Sequence, residues 1–405
     1  MTLGTLALIV AVGLAGPLLA WSERLRIPVV VGELAAGVLI GRTGLQLVDS
    51  TGPTFSFLAD VGFAMLMFIA GTHVPIRDRS LLTGLPRAVL RLVVVAAAAA
   101  GLGAVVGSAF GTDHSLVYAV LFASSSAAII LPVVDAQQLA GPAVLQLLPQ
   151  VAIADAACIV ALPLVIDPTH AGRAAIGAVV MLVAAGAAFL LLWFAERQGW
   201  RVVAHRKSER RGFALELRIS VLMLLLLAAL AQQVHVSIML AGFSLGLAVA
   251  AIGPPRRLAR QLFGVSEGLF APLFFIWLGA SLDLRELGQH PSMIVLGVVL
   301  AAAAVSAHMT AALTGAPVSM TVLSAAQLGV PVSAATLGTQ LQLLRPGEAA
   351  ALLLGALLTI AAATIAGRAS SSTPTTSPAS PASSPSPETN HRPGADARTG
   401  NGQIE

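Results

Sequence analysis

Long apolar segments separated by short polar ones make up most of this chain, and they restrict its fold more than any other feature. Of the 405 residues, 57% are apolar and only 10% are charged, whereas soluble domains carry about 25% charged residues. Such a chain cannot cover a surface that faces water. Because a helix satisfies its own backbone hydrogen bonds inside a bilayer, the composition predicts an all-α polytopic membrane protein.

The number of membrane-spanning helices follows from windows of about 20 apolar residues. We predict about thirteen of them. The second segment is short, and only Gln232–His235 separates the eighth from the ninth. The predicted spans cover residues 3–20, 28–41, 53–72, 86–110, 114–137, 144–165, 173–196, 213–232, 234–252, 263–281, 291–312, 318–341 and 346–367.

Basic residues in the loops support this count and give an orientation. The loops after odd-numbered spans contain thirteen Arg or Lys residues, and the loops after even-numbered spans contain Arg42, Arg173, Arg285 and Arg345. Cytoplasmic loops carry the excess of positive charge. We therefore expect a multi-pass protein of the cell inner (plasma) membrane, with the N-terminus outside and the C-terminus cytoplasmic. Loop charge of this kind favours contact with lipid, and no nucleic-acid partner is expected.

The composition changes near residue 369. Residues 1–368 are predicted to form the transmembrane domain, and residues 369–405 are rich in Pro, Ser and Thr. A segment with so few apolar residues cannot bury enough surface to become ordered. We expect residues 369–405 to be a disordered cytoplasmic tail.

Two of the predicted spans contain polar interruptions. In the fifth span, Ser124, Ser125 and Ser126 interrupt the apolar run. In the twelfth, the segment from Ser324 to Ser333 also contains Gln327, Gly329 and Pro331. A pair of broken helices at corresponding places in two halves is typical of an inverted-repeat transporter with a site at the bilayer midplane. Alternatively, Ser and Gly allow helices to pack closely.

Asp155 lies near the middle of the apolar stretch from Leu145 to Val165. A charged carboxylate at this depth costs about 2.5–3.5 kcal/mol, so it is usually retained for a function. One such function is to bind a proton and a cation alternately, with help from serine hydroxyls or freed backbone carbonyls. The alternative is a buried acid paired with a structural base. The sequence offers no Arg or Lys at a similar depth, which favours the ion-binding interpretation.

Five short segments, in this order and spacing, resemble the cation:proton antiporter superfamily over about residues 3–367. The similarity is closest to the branch that contains bacterial sodium/proton and potassium-efflux antiporters. The segments are Val30–Gly41, Phe63–Gly71, Ala123–Ala127, Ala152–Ala156 and Pro272–Asp283.

The resemblance implies a thirteen-helix fold with an inverted repeat, in which a core with two crossing broken helices moves against a scaffold that forms a homodimer. It implies that Asp155 is the ion-binding aspartate, that Ser124–Ser126 is the unwound stretch of the first broken helix, and that His308 lies near a lysine of many relatives. The chain would then be a transporter and not an enzyme, exchanging Na⁺ or K⁺ for H⁺ by alternating access. It would need no cofactor, since these ions are its cargo.

Two departures from the family pattern concern stoichiometry. Many relatives have a second acid or an asparagine directly before the aspartate, whereas this chain has Ala154. The membrane lysine is also missing, and Lys207 is the single lysine of the chain. With one carboxylate, one-for-one competition between cation and proton predicts electroneutral exchange.

Other polar residues are weaker candidates for the same pathway. His308 is either a titrating partner or a hydrogen-bonding residue between helices. Three acids, Glu33, Asp60 and Asp135, line a funnel or an interface, or are simply solvated at the membrane surface or paired with an arginine. The candidate arginines are Arg24, Arg26 and Arg87. Glu348 is expected to be structural, because a carboxylate at a helix N-terminus interacts favourably with the helix dipole. The supporting residues of the broken helices and the cavity are Ser124, Ser125, Ser126, Gln327 and Ser333.

Two other functions stay open at this point. The first is a carrier of the same architecture that moves an organic solute through a wider cavity. The second is a transport-silent membrane receptor or scaffold that signals through the tail, although the tail contains no recognisable domain.

Overall fold

The structure, a computed structural model, describes residues 1–21, 29–72, 79–139, 141–199, 213–234, 236–253, 262–282 and 284–371. Within these ranges the secondary structure is helical, without strands. Eleven helical segments are long and apolar enough to cross a membrane, and two shorter apolar helices cover Val29–Ile40 and Ile238–Ile252. They coincide with the thirteen predicted spans to within a few residues, which confirms the predicted fold class.

We number the helices in chain order, with the two halves of each broken helix counted separately. The helices are α1 (Leu3–Gly13), α2 (Ala15–Ala20), α3 (Val29–Ile40), α4 (Pro53–Thr72), α5 (Arg79–Phe110), α6 (Ser115–Ala123), α7 (Ala127–Ala136), α8 (Pro142–Ile166), α9 (Ala171–Arg197), α10 (Leu215–Gln233), α11 (Ile238–Ile252), α12 (Ala271–Ser281), α13 (Leu284–Gln289), α14 (Pro291–Met309), α15 (Val318–Ser324), α16 (Gly329–Gln340) and α17 (Glu348–Ser371). Short 3-10 helices cover Pro168–His170 and Thr310–Thr314, and a π-helical turn, Ser266–Phe270, leads into α12.

A sequence of long helix, broken helix and long helix occurs twice. The first set is α5, α6 with α7, and α8; the second is α14, α15 with α16, and α17. The first set starts with the fourth span and the second with the eleventh, so the two sets start from opposite faces of the membrane. This arrangement is the inverted repeat that the sequence predicts.

Both predicted interruptions are real breaks in the helices. Residues 124–126 separate α6 from α7, and residues 325–328 separate α15 from α16. Ser124 has an extended backbone, with φ −76° and ψ 147°. Pro331 lies in the first turn of α16, where a missing backbone N–H leaves no helical hydrogen bond unmade. Each break therefore leaves free backbone groups at membrane depth, where protein or a cavity must satisfy them.

The helices form two packed groups. In the first, α3 packs on α12, and α4 packs on α11 and α12; in the second, α5, α6 and α8 pack together with α14 to α17. We call these the α4 group and the α8 group. Homodimer formation by the scaffold stays a prediction.

Glycines allow the backbones of α4 and α11 to approach closely. Gly71 faces Phe243 and Gly246, and Gly242 faces Ala64 and Met67. Small residues spaced by four are a common way to join helices in membranes. In the sequence, the spacing of Gly242 and Gly246 is the local signal of this contact.

Replacing Gly246 with alanine is expected to destabilise this contact. The new Cβ would meet the carbonyl oxygen of Phe68 well inside van der Waals distance, and overpacking of this kind costs about 1–3 kcal/mol. The matched control is Gly101→Ala, because a Cβ there meets no atom within 4 Å and alanine is the better helix former by about 1 kcal/mol. Thermal unfolding in detergent gives the melting temperature of each variant. A Gly246→Ala melting temperature equal to that of the control would contradict the predicted clash.

Two sequence predictions lie mainly outside the described residues. The predicted tail begins at residue 369, α17 extends to Ser371, and the rest of the tail is outside the described ranges. The loop between the seventh and eighth predicted spans, one of the basic loops that define the orientation, is outside them from residue 200 to residue 212.

Candidate functional site

The two breaks meet each other inside the α8 group. The backbone N–H of Ser126 donates a hydrogen bond to the carbonyl oxygen of Ala326 at 2.8 Å, and the hydroxyl of Ser125 donates to the carbonyl oxygen of Ser324 at 2.7 Å. All four residues are buried. The broken helices therefore cross as predicted, and each break satisfies backbone groups of the other.

Asp155 lies beside this crossing, on α8. Its side chain is buried, with 2% of its surface exposed, and its Oδ2 atom accepts a hydrogen bond of 3.1 Å from the backbone N–H of Ala127. Ala127 is the first residue of α7, so the carboxylate lies at the end of a half-helix that carries partial positive charge. Among the described residues, Asp155 forms no ion pair with a basic side chain.

A second polar atom at this half-helix end has no partner. The hydroxyl of Ser126, the residue before Ala127, is buried and makes no hydrogen bond within the described residues. Buried polar groups without partners are rare, and the ability to bind a water molecule or an ion is one reason to retain them. Ser126 is therefore available as an oxygen ligand in the neighbourhood of Asp155.

His308 joins the two other half-helix ends at the crossing. Its Nε2 atom lies 3.1 Å from the carbonyl oxygen of Ser124, at the end of α6, and its Nδ1 atom lies 2.9 Å from the hydroxyl oxygen of Ser324, at the end of α15. A carbonyl oxygen can only accept, so Nε2 carries a hydrogen, and Nδ1 can then accept from the serine hydroxyl. A neutral imidazole therefore satisfies both contacts without a second proton.

Gln327 supports the same crossing, whereas Ser333 lies further along α16. The side-chain amide of Gln327 donates to the carbonyl oxygen of Leu121 at 2.6 Å, and its backbone N–H donates to the hydroxyl of Thr359 at 3.2 Å. The hydroxyls of Ser333 and Ser237 lie 2.9 Å apart, so Ser333 connects α16 to the N-terminus of α11.

The three additional acids do not join Asp155. Glu33 is buried on α3, in the α4 group, where it lies near a second acid, Glu267. Asp60 lies on α4 and lines a separate cavity of about 250 Å³. Asp135 belongs to α7, but its side chain is outside the described part of the structure. Within the described part, neither Glu33 nor Asp60 forms an ion pair; Arg24 and Arg26, two of the predicted partners, lie outside it.

Arg91 is a buried cation that the sequence analysis missed. Its side chain on α5 is 5% exposed, and it donates to the hydroxyl of Thr314 at 3.2 Å and to the side-chain oxygen of Gln146 at 3.1 Å. Gln146 precedes Asp155 by nine residues on α8, which corresponds to about 13 Å along a helix. Arg91 therefore does not neutralise Asp155. An arginine within the apolar run of α5 was the available signal.

Glu348 forms a structural cluster at the N-terminus of α17, away from Asp155. Its carboxylate accepts hydrogen bonds from the hydroxyl of Tyr118 at 2.6 Å and from the backbone N–H of Arg345 at 2.9 Å, and Nδ1 of His114 lies 2.7 Å from it. These contacts connect the loop before α6 to the loop before α17. They agree with the structural role expected for this glutamate.

Comparisons with known proteins agree with this architecture. The family described as sodium/hydrogen exchanger, transmembrane, matches residues 7–369. The putative Na⁺/H⁺ antiporter YjbQ of Bacillus subtilis is 23% identical over 382 residues, which is 88% of this chain and 61% of that protein. The Na⁺/H⁺ antiporter NhaS5 of Synechocystis is 28% identical over 275 residues, which is 65% of this chain and 37% of that protein. The chain thus spans less than two thirds of either relative.

A solved structure shows the same fold. The sodium proton antiporter MjNhaP1 from Methanocaldococcus jannaschii superimposes with a TM-score of 0.63 and 18% sequence identity, over 91% of this chain and 97% of that one. By their printed names these proteins are antiporters rather than enzymes, in line with the prediction from the sequence. Because the family match extends over nearly all of the described helices, this chain belongs to the sodium/hydrogen exchanger family.

Proposed function

We propose that this protein is a secondary active transporter that exchanges a monovalent cation, Na⁺ or K⁺, for H⁺ by alternating access. The observation that carries the proposal is the position of Asp155: a buried carboxylate at the N-terminal end of α7, where two broken helices cross. Membership of the sodium/hydrogen exchanger family and the names of the relatives support the same activity.

The proposed mechanism is competition for one carboxylate. A proton or a cation at Asp155 removes most of the cost of a buried negative charge, and one negative charge neutralises one of them at a time. For the cation, the carboxylate, the Ser126 hydroxyl and backbone carbonyls at the breaks are the oxygen ligands. The α8 group then carries the neutralised site past the α4 group, which exposes Asp155 to the two sides of the membrane in turn.

The organic-solute alternative has weaker support. A larger cavity of about 770 Å³ lies between α4, α12 and α16, which is within the range of small-molecule sites. Its lining includes Arg42, Trp277 and Thr339 but not Asp155. A carrier of this kind would leave the buried carboxylate at the crossing unexplained, and so would a transport-silent receptor.

Reconstitution into liposomes with an internal pH dye tests the proposal. Addition of Na⁺, K⁺ or Li⁺ to vesicles with an acidic interior is expected to cause alkalinisation that saturates with cation concentration, and the order of the three affinities gives the cation preference. Proton movement that does not depend on any of the cations would contradict the proposed function.

Exchange is expected to be electroneutral. Asp155 is the one acid at the crossing within the described residues, and the Nε2–H of neutral His308 already serves Ser124. One proton therefore leaves for each monovalent cation that binds. The measurement compares exchange rates at zero potential and at an imposed potential of either sign. Rates that differ with the sign of the potential, together with net charge movement, would contradict one-for-one exchange.

The cellular setting is part of the proposal. We place the protein in the plasma membrane as a homodimer through the α4 group, with the N-terminus outside and the C-terminus cytoplasmic. The charge bias of the loops supports this orientation. On this orientation, the loops before α4 and after α16 lie on the extracellular face.

A further inference from the structure

The cavity beside Asp60 is bounded by both groups of helices. Its volume is about 250 Å³, and its walls come from α4, α10, α11 and α12 on one side and from α16 on the other. It shares Trp277, Val332, Thr336 and Gln340 with the larger cavity of about 770 Å³. The two cavities therefore adjoin each other along α12 and α16, and the smaller one reaches the last turn of α10 and the last residue of α16.

The polar groups of this cavity suit a cation. Asp60 supplies a carboxylate that forms no hydrogen bond or ion pair within the described residues. The described lining includes no Arg or Lys. The remaining oxygen-bearing side chains of the lining are Gln232, Ser237, Ser333, Thr336 and Gln340. One negative charge surrounded by neutral oxygens is a typical environment for a monovalent cation.

Helix ends add negative potential to the same cavity. Gln232 lies in the last turn of α10, and Gln340 is the last residue of α16. The C-terminal ends of helices carry partial negative charge. The N-terminal end of α11 also borders the cavity, but the Ser237 side chain caps it by accepting from the backbone N–H of Met239 at 3.2 Å.

The size of the cavity indicates how the cation would be held. A volume of about 250 Å³ accommodates a cation together with several water molecules, since a water molecule occupies about 30 Å³ in the liquid. Phe63, Phe274 and Trp277 form an apolar wall, with the rings of Phe63 and Phe274 stacked 4.7 Å apart. A cation here would keep part of its hydration shell, unlike a cation at the buried Asp155.

We propose that this cavity is a second monovalent-cation site, in which Asp60 binds a partly hydrated cation at the boundary between the two helix groups. The proposal rests on the proposed exchange function for its role, which is to collect the cation before it reaches Asp155. Ser237 and Ser333 both line the cavity, and the bond between them crosses the boundary between the α4 and α8 groups.

Equilibrium binding of radiolabelled Na⁺ to the purified full chain in detergent tests the proposal, with labelled Rb⁺ as a parallel probe. We expect two ions per chain for the wild type, one for Asp60→Asn, one for Asp155→Asn and none for the double variant. Asp49→Asn is the matched control, because Asp49 is an exposed acid in the loop before α4, bonded to Thr51, and it should leave the count at two. Gln340→Leu, on the opposite wall, should weaken the second site about fivefold.

The outcomes separate this proposal from the proposed function. One ion per chain in the wild type, with no change in Asp60→Asn, would overturn the second site even if exchange is intact. Conversely, one ion that remains in Asp155→Asn and disappears in the double variant would support the second site even if the wild type moves no protons.

Discussion

The Asp155→Asn variant is expected to move no protons in response to Na⁺, K⁺ or Li⁺, so that its dye signal equals that of empty liposomes. The asparagine has nearly the same shape, and its oxygen can still accept the hydrogen bond from the backbone N–H of Ala127. It cannot bind a proton or carry a negative charge. The exchange rate should therefore fall at least about a hundredfold, equivalent to about 2.7 kcal/mol of activation free energy, while the protein stays folded.

Two controls make this result specific. Asp155→Glu keeps the charge but displaces it by one methylene group in a tightly packed site, so we expect reduced exchange with a changed cation affinity. Asp167→Asn removes a partly exposed acid at the end of the same helix, where Asp167 bonds to Thr169 and His170, and should behave as wild type. If Asp155→Asn were folded and kept more than about a tenth of the wild-type rate, another residue would have to bind the proton.

The helices and their breaks were predictable because their signals are local. A hydrophobic run of about 20 residues predicts a span whatever its neighbours are, and the predicted third span, residues 53–72, coincides with α4. The serines at positions 124–126 and the Gly and Pro near Gln327 interrupt such runs, and the structure breaks both helices there.

The contacts between helices were not predictable to the same extent, because they join residues far apart in the chain. Arg91 interacts with Thr314, and His308 interacts with Ser124, more than 180 positions away. Ser333, like the serines of the first break, is a polar residue within an apolar span, but its hydroxyl bonds to Ser237 at the edge of the α4 group. The three-dimensional packing, rather than residue type, decides which polar groups reach Asp155.

Replacing His308 with leucine is expected to lower the exchange rate more than tenfold and to reduce thermal stability. The imidazole is almost completely buried, and it satisfies the carbonyl oxygen of Ser124 and the hydroxyl of Ser324 at the ends of α6 and α15. Each of these groups, left without a partner, costs about 1–3 kcal/mol. The hydroxyl of Ser324 can turn to the carbonyl oxygen of Thr321 at 2.7 Å, whereas the carbonyl oxygen of Ser124 has no such local replacement in α6.

A series of variants at this position separates a hydrogen-bonding role from a titrating one. If His308 acts as a neutral bridge, His308→Gln should recover part of the activity, because its amide can donate to the Ser124 oxygen, and the pH profile of exchange should keep its midpoint. If the ring itself carried the exchanged proton, His308→Gln would be as inactive as Asp155→Asn. His170→Leu, which removes an exposed histidine bonded to Asp167, is the control for loss of an imidazole elsewhere. We expect His308→Gln to be more active than His308→Leu because the C-terminal ends of α6 and α15, which carry like partial charge, meet at His308. A hydrogen-bond donor is needed there whichever ion Asp155 binds.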